Sequence, residues 1–176
     1  SPEILADCYN DLGVMALYSG TTEKARKYFE QGLKIATESN CTKAALRLQN
    51  NLAAIYDTIG DYQKGLETLQ KALELSRKFS FIYQFNWTGI QLAGTELMRG
   101  DMQVALNLAE EMLSLAKRIK NAIDEAAAMA TIALFYQLTG DWEKSTARYT
   151  EAYGLARKTG DYQIHGFSAF YFGWLF

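Results

Sequence analysis

Few side chains in this sequence have the types and spacing that catalysis requires. His165 is the sole histidine, so a histidine-rich metal site is excluded, and a Ser-His-Asp arrangement would have to recruit a residue near the chain's end. Cys8 and Cys41 lie too far apart for a Cys-x-x-Cys redox or zinc pattern and are too few for a disulfide framework. They read as ordinary small buried residues in a reducing, cytoplasmic setting. The acidic pairs Glu110-Glu111 and Asp124-Glu125 fit solvated helix faces or first turns, where negative charge suits the helix dipole. Neither a Gly-x-x-x-x-Gly-Lys loop nor a Gly-x-Gly-x-x-Gly fingerprint follows a strand. The sequence therefore predicts no catalytic residue, no metal site and no cofactor. The chemistry left is recognition.

Any such recognition surface must be carried by helices. The chain has 176 residues, 49% hydrophobic, enough to bury a substantial core. Its single proline is Pro2, and Ala, Leu, Glu, Lys and Gln dominate long stretches, which favours helix nearly throughout. Eighteen Lys and Arg against twenty Asp and Glu give a formal charge of -2, without the basic excess that phosphate binding draws on. Nucleic acid is not an expected partner. Neither is a membrane: no apolar run approaches the roughly 18 residues of a span, and the first residues lack the form of a signal peptide.

The helices are organised by a repeat. Glycines recur at Gly20, Gly60, Gly100 and Gly140, always 40 residues apart, and such constancy marks a repeat protein. Their neighbours repeat too, as in Thr58-Ile59-Gly60-Asp61-Tyr62 and Leu138-Thr139-Gly140-Asp141-Trp142. Glycine tolerates the left-handed conformation that closes a helix, and the Asp or Thr after it can cap the next one. Between corners the apolar spacing is helical, as in Leu66, Leu69, Ala72 and Leu73. A second breaker falls about halfway round each period, at Asn40, Ser80, near Asn121 and at Gly160, so each period holds two helices. The predicted boundaries are 3–19, 22–38, 43–59, 62–78, 82–99, 102–119, 122–139, 142–158 and 162–176. At 1.5 Å per residue each helix is about 25 Å long.

These residues resemble the tetratricopeptide repeat. Its hairpin carries a large residue, Leu with a small residue, and an aromatic on the first helix, then the Gly-Asp-aromatic corner, then Ala, an aromatic and Ala-Leu. The second unit matches with Leu52, Ala53, Tyr56, Gly60, Asp61, Tyr62, Leu69, Ala72 and Leu73. The first matches with Tyr9, Leu12, Gly13, Gly20, Ala25, Phe29, Gly32 and Leu33, and the fourth with Ile132, Ala133, Tyr136, Gly140, Asp141, Trp142, Tyr149 and Ala152. In the third, Glu96 stands where the first-helix aromatic belongs. The 40-residue period exceeds the common 34, and is similar to that of regulatory arms of maltose-activator-type bacterial regulators, peptide-sensing quorum regulators and peptide-binding adaptors. The resemblance implies an all-α, right-handed α-solenoid over 1–176, with repeats of about 3–41, 42–81, 82–121 and 122–161 and an unpaired helix over 162–176.

In such a stack the first helices line the concave side, and the resemblance implies which face points inward. It assigns Asp7, Asn10, Val14 and Leu17 from the first unit, and Arg47, Asn50, Ala54 and Asp57 from the second. The third supplies Trp87, Ile90, Gly94 and Leu97, the fourth Ala127, Ala130, Leu134 and Gln137. Asn10 and Asn50 occupy equivalent places, where their amides could fix the register of an extended peptide or serve local helix–helix bonds. Arg47 could meet a ligand carboxylate, or pair with Asp57 or Asp7. Gly89 and Gly94 in one helix point to close packing of helices or to ligand access beside Trp87.

Ser1, Pro2 and Glu3 form a plausible helix entry. At the other end Phe167, Phe170 and Trp174 belong to a helix without a partner, whereas solenoids finish in a polar cap. That contrast predicts a fragment of a longer protein, able to associate with a second copy through this aromatic helix. The expected function is a protein- or peptide-binding scaffold within a larger regulatory or signalling protein. The alternatives are an effector-sensing arm of a multidomain activator or ATPase, and a structural oligomerisation spacer.

Overall fold

The computed structural model describes residues 1–159. Eight helices account for nearly all of them: α1 (Pro2–Tyr18), α2 (Thr22–Glu38), α3 (Thr42–Thr58), α4 (Tyr62–Lys78), α5 (Ile82–Arg99), α6 (Met102–Arg118), α7 (Ala122–Thr139) and α8 (Trp142–Thr159). Every boundary falls within one residue of its predicted place. The expected ninth helix over 162–176, with Phe167, Phe170 and Trp174, lies outside the described residues, as do Gly160 and His165.

The turns explain this regularity. A residue with positive φ closes a helix every twenty positions: Gly20, Asn40, Gly60, Ser80, Gly100, Lys120 and Gly140. After each, the next amide reaches back to the last helical turn, as Asp61 N does to Tyr56 O at 2.8 Å and Asn121 N to Ala116 O at 3.0 Å. This satisfies carbonyls that would otherwise lack a partner. At Ser80 and Lys120 a side chain occupies the left-handed region at a cost of about 1 kcal/mol. The expected breaker near Asn121 is thus Lys120, and Asn121 is the N-cap, accepting from Ile123 N and Asp124 N at 3.2 Å.

Capping is less uniform than the corner sequences suggest. Asp61 and Asp141 accept from the amides of Lys64 and Lys144 at 3.3 and 3.2 Å. Thr21 and Asp101 make no side-chain cap; Thr21 Oγ1 donates to Ala16 O at 2.9 Å, and the Asp101 carboxylate pairs with Arg99.

The chain divides into two compact units, Ser1–Thr88 and Gly89–Phe176, with the division inside α5. In the first unit α2 packs against both α1 and α3, and α3 against α4. Its core gathers Ala6, Ala16, Ala25, Phe29, Ala36, Ala44, Leu48, Leu52 and Ile55. In the second, α7 packs against α6 and α8. Every second helix buries one stripe with the same spacing and mostly small residues: Ala25, Phe29, Gly32, Ala36 in α2; Gly65, Leu69, Ala72, Ser76 in α4; Ala105, Ala109, Met112, Ala116 in α6; Ser145, Tyr149, Ala152, Ala156 in α8. Small residues let neighbouring backbones approach. A methyl group on Gly32 would stand 2.9 Å from Leu48 Cδ2.

The cysteines depart from expectation. Cys8 is exposed, on a face of α1 that is left uncovered, and Cys41 is half-buried at the N-cap of α3, both as free thiols. Glu96 departs too. At the aromatic position of the third repeat it is 7% exposed, with Oε2 2.9 Å from Arg99 Nη2. Burial pushes its carboxyl above the usual value, opposed by Arg99 and reinforced by Asp101. The penalised form is the charged one. Its contribution to stability is therefore largest below the ordinary carboxylate range and falls as pH rises towards the folded value.

Two thermal-melting comparisons check this account. Gly13→Ala would set a methyl carbon 2.3 Å from the buried Phe29 ring and should cost about 1–3 kcal/mol. Gly94→Ala meets nothing within 4 Å and should gain up to about 1 kcal/mol of helix propensity. Glu96→Gln should raise the melting temperature at about pH 7, with the gain shrinking towards about pH 4.

Candidate functional site

In the first unit, α1 and α3 lie side by side and are joined by two polar links one helical turn apart. Arg47 pairs with Asp7, both side chains about half exposed. On the next turn Asn51 Nδ2 donates to Asn10 Oδ1 at 2.7 Å. The spacing is helical: Asp7 and Asn10 are three residues apart, Arg47 and Asn51 four, so each helix presents both of its groups on one face. An exposed ion pair contributes little to stability, about 0–1 kcal/mol. Its geometry matters more, because it holds a guanidinium and two amides in fixed positions at the surface.

Asn50 does not share that surface. It is 4% exposed, and its Oδ1 accepts from Thr88 Oγ1 at 3.1 Å, so its amide serves a helix–helix bond. Of the two readings for the Asn10 and Asn50 pair, Asn50 follows the second, since α3 is covered on more of its circumference than α1. Arg47 pairs with Asp7 rather than with Asp57, which is half-buried further along α3. Val14, Leu17, Ala54 and Trp87 are also half-buried.

In the second unit, Ile90 and Leu97 are 4% and 2% exposed and belong to the core rather than to a ligand-facing row. The two glycines of α5 separate. A methyl on Gly89 would stand 2.3 Å from Met112 Sδ, which is close packing, whereas Gly94 faces open space. Close packing therefore holds for Gly89 and fails for Gly94. Gln137 Oε1 accepts from Tyr149 Oη at 3.2 Å, and Ala127, Ala130 and Leu134 are half-buried.

Asn51 escaped the sequence reading, although a signal existed. The position carries Asp11, Asn51, Gln91 and Thr131 at 40-residue intervals, polar in all four repeats. A polar residue kept at one helical phase marks a row that meets either solvent or a polar partner. Gln91 keeps Oε1 buried without a hydrogen-bond partner. Among the described residues no helix is long and apolar enough to cross a membrane.

Models of the tetratricopeptide repeat match residues 5–39 and 46–79. No curated protein sequence matches the chain. Among solved structures it is similar to a Rap protein complexed with competence and sporulation factor, with TM-score 0.80 and 16% identity over 93% of this chain and 46% of that one. It is similar also to a putative kinesin light chain repeat array of Podosopora anserina, with TM-score 0.70 and 20% identity over 90% and 78% of the two chains. A third likeness is to the signal transduction ATPase with a tetratricopeptide repeat sensor from Pyrococcus horikoshii, with TM-score 0.71 and 17% identity over 93% of this chain and 25% of that. The chain spans about half the length of the Rap structures it matches, 46% and 57%. At these identities the likeness is one of fold, an α-solenoid of helical hairpins. Recurrent corners, small-residue stripes and the two matched models together show tetratricopeptide repeats in this chain, over residues 5–39 and 46–79.

Proposed function

We propose that the chain is a protein- or peptide-binding scaffold, one repeat domain of a larger regulatory or signalling protein, which takes an extended segment across the first helices of its first unit. The observation that carries this reading is the pair of links Asp7–Arg47 and Asn10–Asn51. Their exposed polar groups are fixed one turn apart. An asparagine amide has one acceptor oxygen and two donor hydrogens; Asn10 Nδ2 also donates to Asp11 Oδ1 at 3.4 Å, which still leaves a donor hydrogen on each amide for a peptide backbone. Arg47 can exchange Asp7 for a ligand carboxylate at little net cost, because the existing pair is solvated. The solved Rap conjugation gene regulator of the plasmid pLS20 in complex with the Phr* peptide, on the same fold, supports a peptide as the ligand class. Free thiols at Cys8 and Cys41 fit a reducing, cytoplasmic setting.

A second reading, an effector-sensing arm of a multidomain ATPase or transcription activator, has one specific support. The similar Pyrococcus horikoshii protein carries a tetratricopeptide repeat sensor beside its ATPase.

The test uses peptides selected from a random displayed library against the whole chain, followed by calorimetric titration. Arg47→Ala with Asn51→Ala should weaken the selected peptides by about tenfold to a hundredfold, as expected for one or two lost charge-assisted or amide bonds. Helix content and melting temperature should stay close to those of the parent. Asn50→Ala should instead lower the melting temperature by leaving Thr88 without its acceptor. Unchanged peptide affinity in the Arg47 and Asn51 double variant would overturn the assignment of the site.

A further inference from the structure

The turn between α4 and α5 carries residues that its repeat does not require. Phe79, Phe81 and Ile82 stand where the turn between α2 and α3 has Ser39, Cys41 and Thr42, and a positive φ at Asn40 and at Ser80 closes both turns alike. Phe79 and Phe81 are stacked, with ring centroids 5.8 Å apart. Phe79, Ile82 and Tyr83 are 46%, 43% and 55% exposed, so large apolar side chains meet solvent together on a corner that joins two inner helices.

Three cations converge on these rings. Lys78 Nζ lies 5.7 Å from the centre of the Phe79 ring, Lys43 Nζ 5.4 Å from that of Phe81, and the Arg77 guanidinium 5.4 Å from that of Phe85. Among the described residues none of the three is paired with a carboxylate, whereas Arg26, Arg47, Arg99, Lys144 and Arg148 all are. Helix electrostatics accounts for Arg77 and Lys78 in the last turn of α4 but opposes Lys43, which stands in the first turn of α3. A ring beneath an ammonium group fixes its position without neutralising it, and the N–H donors of the group retain room for an acceptor.

Charge and shape together select the occupant. It must bring carboxylates to Lys43, Arg77 and Lys78 and an apolar side chain to Phe79 and Ile82. A nucleic acid strand finds no open ring to stack on, since Phe79 and Phe81 lie against each other and each carries an ammonium group. The formal charge of -2 gives no long-range pull towards an anionic bilayer.

We infer that the α4–α5 corner binds an acidic segment of a partner protein, one in which Asp or Glu residues are interleaved with aromatic or large aliphatic ones. The fixed cations hold its carboxylates while its apolar side chains cover Phe79 and Ile82. This site uses none of the groups in the row Asp7, Asn10, Arg47 and Asn51, so it stands apart from the peptide site proposed above.

Three displayed peptide libraries test this on the whole chain, with apolar residues interleaved with Asp and Glu, with Asn and Gln, or with Lys and Arg. Only the acidic library should enrich binders, and their affinity in calorimetric titration should fall as salt is added. Lys43→Gln with Lys78→Gln should weaken them by at least about tenfold. Phe79→Ser with Ile82→Thr should do the same, and it installs the residues of the preceding repeat, which suit the turn. Arg47→Ala with Asn51→Ala should leave them within about twofold, which tells failure of the peptide row from failure of this corner. The two corner variants alter different residues, so the result stands if one of them folds poorly. Equal enrichment from the neutral library, binders insensitive to both corner variants, or no binders at all would overturn the inference. So would pelleting of the chain with phosphatidylserine vesicles that either corner variant abolishes, since a lipid surface would then be the occupant.

Discussion

The structure depends on one backbone constraint, the left-handed residue that closes a helix at every twentieth position. Each closure returns the chain on itself within two or three residues, so helices of 17 or 18 residues meet their neighbours along their full length. Glycine supplies the conformation at the corner of each hairpin, and Asn40, Ser80 and Lys120 supply it between hairpins. The strain at Ser80 and Lys120 is offset by packing, since the fold gains far more from apolar burial along two helices than it loses at one residue.

Equal helices with one buried stripe apiece then give surfaces of two kinds. Where a first helix meets the helices before and after it, as α3 does, even a polar residue such as Asn50 is drawn inside and must find a partner, here Thr88. Where coverage is incomplete, the same phase of the helix meets solvent, and Asn10 and Cys8 are accessible. Sequence equivalence and environmental equivalence therefore diverge between the outermost and inner helices of the first unit. The polar row and the apolar face of α1 lie on different sides of one helix.

The same distinction explains what could be read from the residues alone. Helix boundaries were legible because glycine at a fixed interval and an apolar stripe of helical period report the same turn independently. Lys120 was not, since nothing in a lysine advertises positive φ; only the constraint of equal helix lengths demands it there. Arg47 and Asn10 were singled out because they occupy the matching phase, while Asn51, which bonds to Asn10, was passed over in favour of Asn50, whose side chain points about 100° away round the helix. That rotation separates surface from core, and sequence spacing alone does not say which of two adjacent asparagines faces water. Ile90 and Leu97 illustrate the opposite error. Their apolar character suits a groove wall and a core equally, and burial decides for the core.

Uniform helix length also governs how such a chain can change over time. Adding or deleting one residue inside any of these helices would turn every later side chain by about 100° about the axis and carry an alanine stripe away from its neighbour. Length is accordingly the guarded quantity, while the identity of outward-facing residues is open to drift. New specificities can arise by replacing exposed side chains on an unaltered frame, which makes the scaffold conservative in register and permissive in content.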